Sequence, residues 1–204
     1  MRSRRRRYIR IGQSAEKDKS VEADDWEKRI EMERKQKDRF FVSHPQSPLP
    51  RQHRRAFRGL AYWPPNPDCR FELTFFEYYD KEAIEVADTV GQKRRLWRWG
   101  QFRFELAGEQ RALEVYKGDP IEERFFVPFR DETSGKESYG AGRYLDLEPE
   151  RHLTEEGKWI VDLNEAYNPW CAYSENYVCP FVPPENWLEV PIRAGEKQYP
   201  LKQK

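Results

Sequence analysis

The sequence predicts a mainly β protein, an antiparallel sandwich or partly open barrel, preceded by one N-terminal helix. Three observations predict it. Short runs of alternating apolar and polar residues follow one another from Phe71 to Phe129, and such runs, broken every ~8–12 residues, mark antiparallel sheets. Aromatic residues make up 15% of the 204-residue chain, a share that unfolded chains lack. Ahead of the first run stands "DDWEKRIEMERKQKDRFF", which carries the signals of a helix.

That helix is placed near 24–40. Asp24 and Glu27 can form a capping box, and Glu31–Lys35 and Glu33–Lys37 are i,i+4 pairs. Its apolar stripe is narrow: Trp26, Ile30 and the Phe40–Phe41 end. A helix of this kind lies on a surface, here expected to be that of its own domain, with a partner protein as the alternative. Residues 1–20 read as a disordered basic arm that adds nothing to stability. Residues 21–56 form the helix and an extended lead-in, and residues 57–204 a single β domain.

The prolines of "SHPQSPLP" (43–50) and "YWPPNP" (62–67) exclude helix and central strand there. Phe71, Leu73 and Phe75 share one face, and Ile84, Val86 and Val90 another. Phe102, Phe104 and Leu106 repeat the pattern, followed by Leu113 and Val115, then Phe125, Val127 and Phe129. Gly91, "AGEQ" (107–110) and "KGDP" (117–120) are the turns. "RYLDL" (143–147), "WIVDL" (159–163) and "LEVPI" (188–192) are expected to complete the sheets.

Charge narrows the classes of function. Of 37 basic residues, six are the arginines of "MRSRRRRYIR", which leaves 31 against 36 acids, a net of −5 for the rest. A mildly acidic body is not a nucleic-acid footprint; the arm alone offers weak phosphate contact. No apolar run approaches a membrane span or a signal-peptide core. Three cysteines, an odd number, favour a reducing compartment, so a cytoplasmic location is expected. Nothing in the residues sets an oligomeric state.

Two stretches break the strand rhythm. "FVPFRDETSGKESYGAGRYLDL" (126–147) is close to a phosphate loop but has Arg130 where the first glycine belongs and Glu137 after Lys136. What remains is a glycine-bearing loop able to present Arg130, Asp131, Tyr139 and Arg143, although ion pairs that pin strands explain the same residues. "DLNEAYNPWCAYSENYVCPFVPPENW" (162–187) is a long irregular connection, and such loops are often functional. Its two cysteines, Cys171 and Cys179, admit four readings: metal ligands, a disulfide, a nucleophile, or small buried thiols. The gap does not match zinc-ligand spacing, and no Lys or Arg lies within five residues of either sulfur, so buried thiols are favoured and no metal or cofactor is expected. No Gly-x-Ser-x-Gly elbow exists, and no histidine lies in either loop. Any catalysis falls to Asp131, Asp162, Glu185, Glu196, Tyr139 or a thiol; enzyme and binding module both stay open.

The two loops are expected to meet at one end of the β domain and line a pocket for an anionic or polar small molecule. Arg130, Asp131, Tyr139, Arg143, Asp162, Asn164, Tyr167, Asn168, Tyr173 and Asn186 are its candidate ligand-binding residues, with Trp170 adding to an aromatic wall. A structural or interaction protein, binding a partner through its helix or arm, is the alternative.

"FRDETSGKESYGAGRYLDL" and "DLNEAYNPWCAYSENYVCPFVPPENWLEVPIRAGEK" resemble the uncharacterised microbial family known as domain of unknown function 1684. "KDRFFVSHPQSPLP" and "FRGLAYWPPNP" add weaker support. The resemblance implies a small cytoplasmic protein of bacterial or archaeal type, and it implies no activity. The family motif maps onto Arg130, Asp131, Tyr139, Arg143, Asp162, Asn164, Asn168, Cys171, Cys179, Pro180, Asn186 and Glu196. The Arg-rich arm falls outside it.

Overall fold

A computed structural model of the chain describes residues 13–199, with side-chain surroundings from residue 24 onward. Helix α1 spans Gln13–Ser43, and two single-turn helices, α2 and α3, span Arg51–Arg54 and Pro149–His152. The strands are β1 (Arg70–Leu73), β2 (Phe75–Ala87), β3 (Lys93–Leu106), β4 (Glu109–Lys117), β5 (Phe125–Phe129), β6 (Arg143–Leu147) and β7 (Trp159–Asp162). Strands β2 to β6 form an antiparallel meander in chain order, and β1 pairs with β7 as a second, two-stranded antiparallel sheet. Among the described residues no ladder joins β2 to β6. No helix there is long and apolar enough to cross a membrane.

Alternation decides which side chains meet. Phe102, Phe104, Leu113, Val115, Phe125, Val127, Phe129, Leu145 and Leu147 line the inner face of the meander in one core. The small sheet lies over it: Phe71 meets Phe104 at 4.8 Å and Trp159 meets Phe125 at 4.6 Å between ring centroids. The β3–β4 turn puts Ala107 at φ 55° and Gly108 at φ 78°, the pair of positive values that a two-residue hairpin needs.

Three expectations need correction. Val90 lies in the β2–β3 turn beyond the end of β2, where Asp88 accepts the Val90 and Gln92 N–H groups and ends the strand. The segment 188–192 is not a strand. Its alternation is real, because Leu188, Val190 and Ile192 are all in the core. Its backbone-to-backbone bonds, however, are only two among the described residues, Leu188 N–H to Arg130 O and Glu132 N–H to Val190 O, and Pro191 has no N–H to extend a ladder. The helix also starts well before Asp24. Residues 13–20, read as part of the arm, are helical; no Gly or Pro occurs between Gly12 and Pro45, so no breaker stops the helix there. The rest of the arm, 1–12, lies outside the described residues.

The helix docks on its own domain. Trp26, Ile30 and Phe41 are buried along one face, the first two at i,i+4 and the third about three turns further on. Polar groups beside the stripe fix its register: Trp26 Nε1 donates to Asp162 at 2.7 Å, Arg34 to Trp63 O at 2.8 Å, and Asp38 accepts the Leu60 N–H at 2.9 Å. Trp26→Phe is expected to lower stability by about 1.5 kcal/mol, the low end for a bond to a charged group, since Asp162 keeps its Asn164 donors. Urea denaturation of the variant measures it.

Candidate functional site

Arg143 is the largest fully buried side chain. It opens β6 opposite Phe129, so the pleat turns it inward. Its Nη2 donates to Asp131 Oδ2 at 2.5 Å and Ile192 O at 2.8 Å; its Nη1 donates to Glu196 O at 3.3 Å and to Ala194 O. Burial pulls the guanidinium below its usual range, against the opposing pull of Asp131. Gly142, just before it, has φ +99°, and a Cβ there would lie 2.6 Å from Phe129 O, so the approach of this loop to β5 requires glycine. Arg130 is one residue past Phe129 and turns the other way, stacking over Trp187 at 4.6 Å. The two guanidinium groups therefore share no cleft. The expected anion fork fails because both terminal nitrogens of Arg143 are spent on four protein oxygens.

Several residues of 162–186 are likewise tied into the fold. Asp162 accepts from Trp26 and twice from Asn164, and burial raises its carboxyl above the usual range. Asn164 clasps the Asn66 backbone from both sides, at 2.8 Å each. Asn186 does the same to Glu114 and also donates to Pro128 O at 2.7 Å. Glu196, 1% exposed, collects Lys37 Nζ at 2.5 Å, the Asn168 N–H at 2.8 Å and the Tyr173 hydroxyl. Tyr173 lies in an aromatic cluster with Phe41, Phe57 and Tyr199, not on a pocket wall, and Trp170 packs on Tyr177 at 5.0 Å. Glu185 pairs with Arg98 at 2.6 Å at the surface. Tyr139 donates to Cys171 Sγ at 3.7 Å.

A cleft does exist, one side away from the expected place. It holds about 210 Å³ between α1 and the wall formed by β6, α3 and residues 164–167. Arg34 and Lys37 of α1 face Asp146, His152 and Tyr167 across it. Of the expected ligand-binding residues Asn164 and Tyr167 line it, as does the candidate acid Glu196, whereas Arg130 and Asp131 line a separate hollow with Trp187. At its floor Glu165 receives His152 Nε2 at 3.1 Å, Arg29 at 2.9 Å and Arg151 at 3.0 Å. Burial works to raise the Glu165 carboxyl, but these donors outweigh it and bring it down to about 2. His152 Nδ1 lies 2.9 Å from the Glu148 nitrogen, whose N–H can only donate, and 3.1 Å from Glu148 O, while Nε2 reaches Glu165. Both ring nitrogens are engaged, so His152 positions Glu165.

Asp146 behaves differently. The Tyr167 hydroxyl donates to its Oδ2 at 2.6 Å, and Arg124 approaches to 3.5 Å. Its Oδ1 is buried with no partner, and so is Arg34 Nε on the facing helix. Burial pushes the Asp146 carboxyl up. Asp146, His152, Glu165 and the α1 cations escaped notice in the sequence because their spacing follows no motif. The one available signal was polar: Arg34 and Lys37 stand beside the buried stripe of α1. Among the described residues no group of His, Cys, Asp or Glu is placed to hold a metal ion.

These features define a mostly antiparallel β protein with an N-terminal helix and a set of buried polar and charged residues. The chain belongs to the family described as "Protein of unknown function (DUF1684)", whose model matches residues 55–197. It is similar to an uncharacterized protein of Haloarcula marismortui whose structure was solved in solution by NMR. The two are 40% identical, the match covers 87% of this chain and 96% of that one, and the TM-score is 0.67. The comparison with curated proteins found no match.

Proposed function

We propose that the protein binds a small polar molecule in the cleft between α1 and the β domain, and that Asp146 is its main anchor. The observation that carries this is the buried, unpartnered Oδ1 of Asp146 in a cleft lined by ionisable groups. A buried acceptor without a donor costs stability, and a ligand N–H or O–H would satisfy it. Of the two chemistries expected, anionic and polar, the second fits. Lys37 is engaged by Glu196, and Arg151 by Glu33 and Glu165, whereas Glu148 adds a second acid beside Asp146. An amine or a polyhydroxylated molecule matches this balance. The volume lies below the ~300 Å³ at which drug-sized sites begin, which favours a metabolite of few atoms.

The same reading takes the two sheets as layers of an open sandwich, supported by the Phe71–Phe104 and Phe125–Trp159 contacts. It places the protein in the cytoplasm, supported by three free cysteines. The partner-binding alternative loses support where α1 spends its apolar face on its own domain. Thermal-shift screening with small amines and polyols tests the proposal. A ligand at ~100 times its Kd should add about 2.7 kcal/mol of stability, and Asp146→Asn should weaken its binding about tenfold or more. No stabilising compound, or one that ignores Asp146→Asn, would refute it.

A further inference from the structure

We propose that Cys171 and Cys179 are a redox-active dithiol that peroxide converts reversibly to a disulfide. This goes beyond the cleft, since neither cysteine lines it. Their positions come from two separate anchors. Cys179 is fastened to the β2–β3 hairpin: its carbonyl accepts the Thr89 N–H at 3.1 Å, its N–H reaches Thr89 Oγ1 at 3.3 Å, and Phe181 N–H bonds Ala87 O at 2.9 Å. Cys171 sits in the 3-10 turn Trp170–Ala172, with the Tyr139 hydroxyl on its sulfur. The anchors pack the two cysteines together inside one apolar cluster with Tyr144 and Val182. Between them, residues 173–178 contain neither helix nor strand. Closing the sulfurs to the ~2.05 Å of a disulfide therefore bends a loop and breaks no ladder.

The surroundings separate the roles of the two sulfurs. Cys179 accepts a hydrogen bond from the Cys171 thiol, which outweighs burial, and the N–H groups of Cys171 and Trp170 and the nearby Arg94 guanidinium add to it; its thiol comes down to about 7. Arg94 is held there by Asp88 at 3.2 Å and Val178 O at 3.3 Å. The Cys171 thiol is held up by the same contact and by burial, so Cys179 is the more readily ionised of the two. Thiolates are the form that attacks peroxide. The Cys179 thiolate takes one oxygen of hydrogen peroxide, the O–O bond breaks, and the second oxygen leaves as hydroxide, which is protonated to water. The Cys171 thiol then attacks the Cys179 sulfenic sulfur, giving up its proton to the departing hydroxyl. An S–S bond forms and a second water is released. Two thiols and one peroxide thus yield one disulfide and two waters, and a dithiol reductant reverses the change. Residue order alone does not signal this environment, because the fold packs Cys171 against Cys179 and brings Arg94 of β3, far from both in the chain, beside them.

Cys69 provides an internal control. It is buried in the main core, and burial, with Asp68 and Asp162 adding to it, pushes its thiol up to about 11. The test exposes the folded, full-length protein to hydrogen peroxide and maps its peptides by mass spectrometry. The expected result is a Cys171–Cys179 disulfide, a mass lower by about 2 Da, one titratable thiol in place of three, and full recovery with dithiothreitol. In Cys171→Ser a sulfenic acid on Cys179, trapped by a 1,3-dione, should replace the disulfide. In Cys179→Ser the loss of the Cys171 thiol should slow about tenfold or more. Three thiols surviving excess peroxide would overturn the proposal, and so would a bridge involving Cys69 or irreversible sulfonic acid without a disulfide. Should a serine variant fail to fold, the map of the unaltered protein decides alone.

Discussion

Arg143→Ala is expected to destabilise the protein by about 3–5 kcal/mol, the cost of breaking a buried ion pair by removing one partner. Both side chains of the Arg143–Asp131 pair are fully buried. Removing the guanidinium leaves the Asp131 carboxylate without its charge partner and frees the carbonyls of Ile192, Ala194 and Glu196 inside the core. It also loosens the 188–196 segment, which keeps its bonds to Arg130, Glu132 and Ala166 but loses those to Arg143. Thermal and urea denaturation measure the loss. The double change Arg143→Met with Asp131→Asn should recover part of it, because no isolated charge remains buried. A loss below ~1 kcal/mol in the single variant would mean that the arginine is not a staple of the fold. An insoluble variant agrees with the expectation, and Arg143→Lys then supplies a measurable, intermediate loss.

Acid should weaken the attachment of α1 through Glu165. Its carboxyl stands at about 2 in the folded protein against 4.5 as its ordinary value. Between those values the unfolded chain binds the proton and the folded one does not, so stability rises with pH across the window. The contribution is complete above about pH 4.5 and disappears as pH falls toward 2. A gap of this size corresponds to about 3 kcal/mol. Urea midpoints at about pH 5.5 and about pH 2.5 give the test: the native protein should lose roughly 2–3 kcal/mol more than Glu165→Gln does. Equal losses in both would show that the Arg29, Arg151 and His152 contacts do not hold the carboxylate in its charged form.

Much of the fold was legible because its signals are local. β5 and β6 fall where "FFVPF" and "RYLDL" alternate, the hairpin turns where glycine permits positive φ, and α1 where charged pairs recur at i,i+4. The 188–192 segment shows the limit of such signals. Period-two alternation reports which side chains face the core, and there it was right; whether a ladder forms depends on the partner backbone, which alternation does not encode. The start of α1 was missed for a related reason, since a capping pair inside a helix reads the same as one at its end.

The candidate site divides along the same line. By itself the sequence determined that the unusual polar residues gather in 130–143 and 162–186, that the helix carries a narrow stripe for docking, and that two cysteines lie in an irregular loop. Composition and spacing suffice for that. Only the tertiary structure decided that Arg143 points inward while Arg130 points outward, that Glu196 ties α1 to the loop at Asn168, and that Asp146 is left with a free oxygen in a cleft roofed by Arg34. It alone placed Arg94 beside Cys179. These are distances between residues far apart in the chain, set by which faces of two sheets and a helix are pressed together to bury aromatic surface. The field a side chain meets after that packing is a property of its neighbours in space, and the order of residues does not contain it.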